Sequence, residues 1–463
     1  MRLVAIGGSD AGISAALRAR ELDPATEVTV VVADAFPNFS ICGIPYYVSG
    51  EVPRWENLAH RTVADLEATG MTLRLDTVAR RILADDHKLV VTGPGGAEEV
   101  LAYDALVVGT GAVSVRPPIE GLAGEDALGP ADGVHLLHSM GDTFAVMATL
   151  TDTAPERAVI VGAGYIGLEM AEAFVARGLA VTQIEQLPEV LPTVDPELGR
   201  LVHDHLTNHG VDVRCNTAVR RIAKGAPGSG GRLAVEAEGP DGPVTVPADV
   251  VLVVVGVRPD TELAAGAGAT LGIKGAIAVD RQMQTNLPDV FAAGDCATTH
   301  HRLLGTTYLP LGTTAHKQGR VAGENALGAS REFAGSLGTQ VVKIFDQVAA
   351  RTGLRDHEAV AAGFDPVTVE FEADDHKAYY PGSHRVRMRY TGDRQTGRLL
   401  GLQLFGHRHA EVAKRIDIAA AALFHEMTVD GLSDLDLSYT PPLGSPWDAV
   451  QAGAQQWVRT TGG

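Results

Sequence analysis

Two stretches decide the fold: Arg2-Leu3-Val4-Ala5-Ile6-Gly7-Gly8-Ser9-Asp10-Ala11-Gly12 and Arg157-Ala158-Val159-Ile160-Val161-Gly162-Ala163-Gly164-Tyr165-Ile166-Gly167. Each opens on an apolar run of strand length, the pattern of a buried parallel strand. Each continues into a helical pattern, Ile13 to Leu22 and Leu168 to Arg177, and then into a second strand that ends in an acid, Val28 to Asp34 and Val181 to Glu185. The acids lie 22 and 18 residues past the last glycine, close to the ~20 of a dinucleotide-binding fingerprint. The glycines permit a tight turn and close approach of a pyrophosphate, the helix N-terminus faces its charge, and the acid accepts hydrogen bonds from a ribose. Ser9 replaces the middle glycine of the first copy, and its small side chain still admits the pyrophosphate. One such turn would be a weak signal; two, each with strand, helix and acid in place, are specific.

Around these stretches the 463 residues suggest about three domains at ~150 residues each. Apolar residues make up 45% and charged residues 21%, which excludes a disordered chain. Lys plus Arg number 38 against 57 Asp plus Glu, a net charge of −19, so neither nucleic acid nor an anionic membrane is an expected partner. The N-terminus runs straight from a strand into a glycine turn, unlike a secretory signal, and no apolar run reaches the ~18 residues of a membrane span. Cys42, Cys215 and Cys296 stand at unrelated spacings, giving neither a disulfide framework nor a four-ligand zinc site. A cytoplasmic protein without a metal is expected, with Cys215 and Cys296 structural.

A glycine-rich stretch, Gly225 to Gly231, reads as a hairpin loop inside the second nucleotide-binding unit. Past Gly335 strand patterns follow one another (Gln340 to Val348, Val367 to Phe371, Arg385 to Tyr390, Leu399 to Phe405), then a helix from Ala410 to about Glu426. The expected fold class is therefore α/β: two Rossmann-like dinucleotide-binding domains and a C-terminal α+β domain.

The two fingerprints, together with Asn38-Phe39-Ser40-Ile41-Cys42-Gly43-Ile44-Pro45-Tyr46-Tyr47, resemble the pyridine nucleotide–disulfide oxidoreductases. The similarity is to their single-cysteine branch of coenzyme A-disulfide reductases, persulfide reductases and NADH oxidases and peroxidases. Thr110-Gly111-Ala112, Gly256-Val257-Arg258-Pro259 and Phe291-Ala292-Ala293-Gly294-Asp295 extend it, as do Tyr379-Tyr380-Pro381-Gly382 and Leu437-Ser438-Tyr439-Thr440-Pro441-Pro442 in the last domain. The resemblance implies an FAD domain interrupted by insertion (1–119 and 276–334), an NAD(P) domain (120–275) and a dimerisation domain (335–463). It assigns FAD to Gly7, Ser9, Ala11, Gly12, Asp34, Val78, Thr110, Gly111 and Asp295. It assigns the nicotinamide cofactor to Gly162, Gly164, Tyr165, Ile166, Gly167, Glu169, Glu185 and Gly256, with Tyr165 as a gate over the flavin. No Arg stands beside Glu185 to meet a 2′-phosphate, which favours NADH over NADPH, although basic residues elsewhere could reverse this.

The same resemblance makes Cys42 the redox-active sulfur, beside the flavin, with its thiolate favoured by a helix N-terminus. Positions five away hold Pro37 and Tyr47, so its oxidation partner must come from outside the chain. Tyr439 and one of Tyr379 or Tyr380 would reach the cysteine from the second subunit of a homodimer and protonate a leaving thiolate. Ser14, Arg18, Ile41 and His316 are the substrate-side residues, with Arg18 offering a guanidinium to an anion. The expected activity is NAD(P)H-dependent reduction of a small-molecule disulfide or persulfide of the coenzyme A type. Two alternatives stand beside it: an NADH oxidase or peroxidase, and a flavoprotein redox partner of another protein. Asp10 stands where peroxidases carry a histidine, and Ile41 where the coenzyme A reductases commonly carry Asn.

Overall fold

The computed structural model describes residues 1–228 and 230–462. Its first sheet runs, in order, Val290–Ala292, Ala105–Val108, Arg2–Ile6, Glu27–Val31 and Thr72–Arg74, all parallel. The second repeats the plan with Val134–His135, Val250–Val253, Arg157–Val161, Ala180–Ile184 and Asp212–Arg214. Parallel strands buried on both faces carry continuous apolar runs, and Ala105–Val108 and Val250–Val253 are buried at every position. The duplication extends further than the fingerprints. Each sheet is accompanied by a three-stranded antiparallel one, Val78–Leu83 with Lys88–Thr92 and Glu98–Ala102, and Ala218–Lys224 with Leu233–Gly239 and Gly242–Ala248. The glycine-rich loop expected at 225–231 connects two of these strands; Ser229 within it lies outside the described residues.

The last unit is a five-stranded antiparallel sheet ordered Gln340–Ile344, Gln347–Gly353, Leu399–His407, Arg385–Asp393 and Pro366–Asp374. The helices Val412–Phe424 and Ala449–Thr461 close its core through Ile416, Leu423, Val450 and Trp457. Here one expectation is corrected. The single strand read from Gln340 to Val348 is a hairpin, turned at Phe345 with φ +53°. The cause is tertiary: the Phe345 N–H donates to Glu172 Oε2 at 2.8 Å, and its ring stacks on His209 with centroids 4.0 Å apart.

Two helices packed directly against each other beside the first sheet position the site. Asp10–Leu22 packs against Gly312–Ala326, and a Cβ at Gly319 or Gly323 would stand 2.3 or 2.4 Å from the carbonyl oxygens of Ala11 or Ala15. Only glycine allows backbones so close. This approach brings His316 over Ser14.

Candidate active site

In the first fold Gly7 has φ +110°, and a Cβ there would lie 2.0 Å from the Gly109 carbonyl oxygen. Ser9 is the extended residue before the Asp10–Leu22 helix, and Ala11 and Gly12 are buried in its first turn. Asp34 lies beyond the strand Glu27–Val31, exposed, with Oδ1 accepting from the Phe36 N–H at 2.9 Å. The Asp76 N–H donates to the Asp34 carbonyl and the Thr77 N–H to that of Val32, so Val78 begins its strand at the same edge. Thr110 donates to the Asp260 carbonyl at 2.5 Å, and Gly111 turns at φ +73°.

Asp295 is the most telling residue of this fold. Its Oδ1 is buried without a hydrogen-bond partner among the described residues, as is Asn38 Oδ1. Burial first, and then the charge of Asp10, raises the Asp295 carboxyl to about 6. Buried polar atoms of folded proteins nearly always have partners. A cofactor rich in hydroxyls supplies donors for such atoms, so the residues present fit FAD, with Asp295 toward its ribityl chain, the Gly7–Gly12 turn toward its pyrophosphate and Asp34 toward its adenosine.

The second fold differs. Gly162 turns at φ +107°, whereas a Cβ at Gly164 would meet nothing within 4 Å. Tyr165, Ile166 and Gly167 open the helix Tyr165–Ala176. Glu185 is buried and already bonded, Oε2 accepting from the Ala163 N–H at 2.8 Å and Oε1 from the Leu187 N–H at 2.9 Å. Gly256, with φ +114°, leaves open space past the strand Val250–Val253. Glu169 lies one turn along from Tyr165, where burial, with the charge of Glu172 adding to it, raises its carboxyl to about 7.

Cys42 sits in a one-turn helical segment, Ile41–Gly43, leading into the short helix Ile44–Ser49. The residue is solvent-accessible, yet the protein around its sulfur raises the thiol's pKa, and the charges of Glu169, Asp10 and Asp295 raise it further. This corrects the expectation that a helix N-terminus lowers it. The helix has only six residues, and three carboxylates oppose it. Sequence reasoning missed the neighbours that tie Cys42's helix to the second fold. Tyr46 donates to Glu169 Oε1 at 3.3 Å, and Lys343, paired with Glu172, lies 5.4 Å from the Tyr46 ring. Tyr46 stands inside the quoted motif, but nothing in the sequence places Glu172 or Lys343 beside it.

Ser14 and His316 meet, Oγ to Nδ1 at 2.9 Å, while His316 Nε2 lies 3.3 Å from Asp10 Oδ1. They line a cavity of about 780 Å³ with Arg18, Arg61, Lys317 and Arg320. Arg18 is not the free guanidinium expected, because it pairs with Glu324 at 2.6 Å and Glu21 at 2.7 Å. Arg61 and Lys317 form no ion pair within 4 Å among the described residues, and their scattered positions gave no sequence signal. Ile41 does not join this cavity; it packs against the apolar cluster that also holds Phe39 and Trp55. Asp10 links the two places, since its charge acts on Cys42 and it holds His316. Burial raises Asp10's own carboxyl, with His316 and His60 opposing.

Tyr379, Tyr380 and Tyr439 are 75%, 43% and 45% exposed. Tyr439 lies close enough to Tyr379 to act on its hydroxyl, and the Lys377 N–H donates to the Pro441 carbonyl, so both motifs share one patch. Leu443 and Trp447 are exposed nearby in sequence. Among the described residues no hydrogen bond or ring contact joins these tyrosines to Cys42 within the chain.

Paired dinucleotide folds, a cysteine between them and a third antiparallel domain define a two-nucleotide flavoprotein reductase architecture. The pyridine nucleotide-disulphide oxidoreductase profile matches residues 1–319 and that family's dimerisation domain matches residues 339–449, so the chain belongs to this family. It is 35% identical over 451 residues, 97% of each chain, to the NAD(P)H sulfur oxidoreductase (CoA-dependent) of Pyrococcus furiosus. It is 31% identical over 462 residues, 99% of each chain, to an NADH oxidase of Methanocaldococcus jannaschii. The NAD-dependent persulfide reductase of A. fulgidus superposes with a TM-score of 0.91 at 36% identity, over 100% of this chain and 84% of that one. The family implies FAD and NAD(P)H as cofactors. Among the described residues no helix is long and apolar enough to cross a membrane.

Proposed function

We propose that the protein is an NAD(P)H-dependent reductase of a small anionic disulfide or persulfide of the coenzyme A type, working as a homodimer through Cys42. The observation that carries this reading is the cavity lined by Arg18, Arg61, Lys317 and Arg320, where Arg61 and Lys317 form no ion pair within 4 Å among the described residues, while Asp10, which pairs with His316, also acts on Cys42 by its charge. Bound FAD would supply the two-electron chemistry between nicotinamide and sulfur. The Cys42 thiolate attacks one sulfur of the substrate disulfide; a new S–S bond forms, the old one breaks, and a thiolate leaves. A tyrosine O–H, from Tyr439 of the second subunit with Tyr379 or Tyr380 beside it, protonates that leaving group. Two electrons and a proton then cleave the mixed disulfide, regenerating the Cys42 thiolate and releasing the second thiol, and a proton from solvent restores the tyrosine. NADH is the preferred donor, since Glu185 suits a ribose diol and the nearby Arg214 is already paired with Asp212 at 2.8 Å. The exposure of the tyrosine patch supports completion of the site by the second subunit.

The test is a substrate panel with Lys317→Ala and Arg61→Ala. Each is expected to raise KM about tenfold, the loss of roughly one charged hydrogen bond, for coenzyme A disulfide but not for an uncharged disulfide. Equal KM values for both substrates in every variant would remove the anion site from the account. Oxygen consumption that matches NADH loss and ignores added disulfide would favour the oxidase alternative.

A further inference from the structure

Outside this site three side chains from successive elements converge at the edge of the second fold. Glu189 lies in the loop after the strand Ala180–Ile184, His203 on the helix Pro196–Asn208, and Cys215 directly after the strand Asp212–Arg214. Glu189 Oε1 lies 2.8 Å from His203 Nδ1, and the Cys215 sulfur lies 3.7 Å from each of those two atoms. A nucleophile–base–acid relay would use both ring nitrogens of the histidine, one for each partner. Here carboxylate and sulfur meet at the same nitrogen, so the three donors enclose a point instead of forming a chain.

That triangle has the dimensions of a metal face. Tetrahedral zinc, with Zn–S of about 2.3 Å and Zn–N and Zn–O of about 2.0 Å, separates sulfur from its neighbours by roughly 3.6 Å and nitrogen from oxygen by roughly 3.3 Å. Both sulfur edges already match, and the third opens by about 0.5 Å when a hydrogen bond gives way to coordination. The carboxylate is held from outside. Glu189 is buried, Arg200 Nε lies 3.0 Å from its Oε2, and the Val190 N–H donates to Oε1 at 3.0 Å. A Cβ at Gly199 would stand 2.8 Å from Glu189 Cγ, so the helix carrying His203 packs directly against it.

We propose that Glu189, His203 and Cys215 form a divalent-cation site of the zinc type, with water completing four-coordination. On binding, the Cys215 proton leaves to solvent, the His203 hydrogen resides on Nε2, and Nδ1, Sγ and Oε1 ligate. The site also fastens the segment behind Glu185. The Asn216 N–H donates to the Leu187 carbonyl and the Thr217 N–H to that of Glu185, so a bound ion would fix the loop that carries the proposed ribose-binding acid.

Cobalt(II) titration of the FAD-loaded, chelator-treated protein tests this. Two other clusters, Asp10 with His60 and His316, and His205 with His209 and Asp346, could take an ion but contain no sulfur. One equivalent per chain should therefore give four-coordinate d–d bands to the red of the flavin with a thiolate-to-metal band, bleached by Zn²⁺. Cys215→Ser should lose both signals, His203→Gln should weaken binding at least tenfold, and Cys42→Ser should retain both. Absence of the bands at saturating metal, their survival in Cys215→Ser or their loss in Cys42→Ser would overturn the proposal. A measurement on the unmutated protein guards against misfolded variants: Zn²⁺ should slow alkylation of Cys215, followed by peptide mass, at least tenfold. Equal alkylation with and without Zn²⁺ would equally overturn it.

Discussion

The two dinucleotide folds are built from one plan, yet they meet their cofactors differently. In the second, Glu185 spends both oxygens on the backbone of its own turn, bonding Ala163 and Leu187. In the first, Asp295 and Asn38 each keep a buried oxygen with no partner among the described residues. An unsatisfied buried polar atom costs about 1–3 kcal/mol, a debt that a permanently held cofactor removes. Orphaned atoms are not confined to the first fold, since Gln183 Oε1 on the strand before Glu185 also lacks a partner among the described residues. The contrast lies between the two acids themselves, Glu185 bonded and Asp295 not, and it supports the proposal of a resident flavin in the first fold and an exchanging nicotinamide nucleotide in the second.

The strongest way to break this contrast is at the glycines. Gly7→Ala places a methyl group 2.0 Å from a backbone oxygen at φ +110° and should cost roughly 3–5 kcal/mol, seen as a large fall in Tm and loss of flavin. Gly164→Ala, where nothing lies within 4 Å, should leave Tm and flavin content unchanged while raising KM for NAD(P)H. Similar losses in both would mean that the turns do the same work.

A smaller effect concerns pH. The Glu169 carboxyl sits at about 7 in the folded chain against an ordinary value of 4.5. Its neutral form therefore stabilises the fold fully below about 4.5, and this contribution is lost as pH rises through about 7. Glu169→Gln should exceed the parent in stability by up to roughly 3 kcal/mol at pH 8 and match it at pH 4. Thermal unfolding across that range checks it; a difference independent of pH would remove burial as the cause.

Smaller again are the acids themselves. Asp295→Ala should weaken FAD about 10- to 100-fold, the loss of one charged hydrogen bond, and leave the dissociation constant of NADH alone. Glu185→Ala should do the reverse. Flavin release followed by fluorescence, and NADH binding by calorimetry, separate the two.

How much of this was legible in the sequence depended on whether a feature was local. The glycine turns and the strands on either side are set by neighbours within about twenty residues and stand where the pattern placed them, except that the strand Glu27–Val31 stops three residues short of Asp34. The pairing of Val290–Ala292 with Ala105–Val108 supports the interrupted first domain, which only the family resemblance had suggested. Features made by distant chain segments were not legible. The Phe345 turn exists because Glu172 and His209 hold it. Arg18 is engaged because Glu324 arrives on another helix, so that Arg61 and Lys317 are the cavity cations without an ion pair within 4 Å among the described residues. The thiol of Cys42 is raised by burial first, and then by Glu169, Asp10 and Asp295, which come from three separate parts of the chain.

The central claim is that Cys42 carries electrons from the flavin side to the substrate. Anaerobic stopped-flow mixing of the FAD-loaded Cys42→Ser protein with NADH, followed by disulfide turnover in the same preparation, tests it most directly. The account predicts that the flavin bleaches at the unmutated rate while disulfide reduction falls by about a thousandfold or more, the loss of a covalent route worth over 4 kcal/mol. Disulfide turnover retained near the unmutated rate would contradict it.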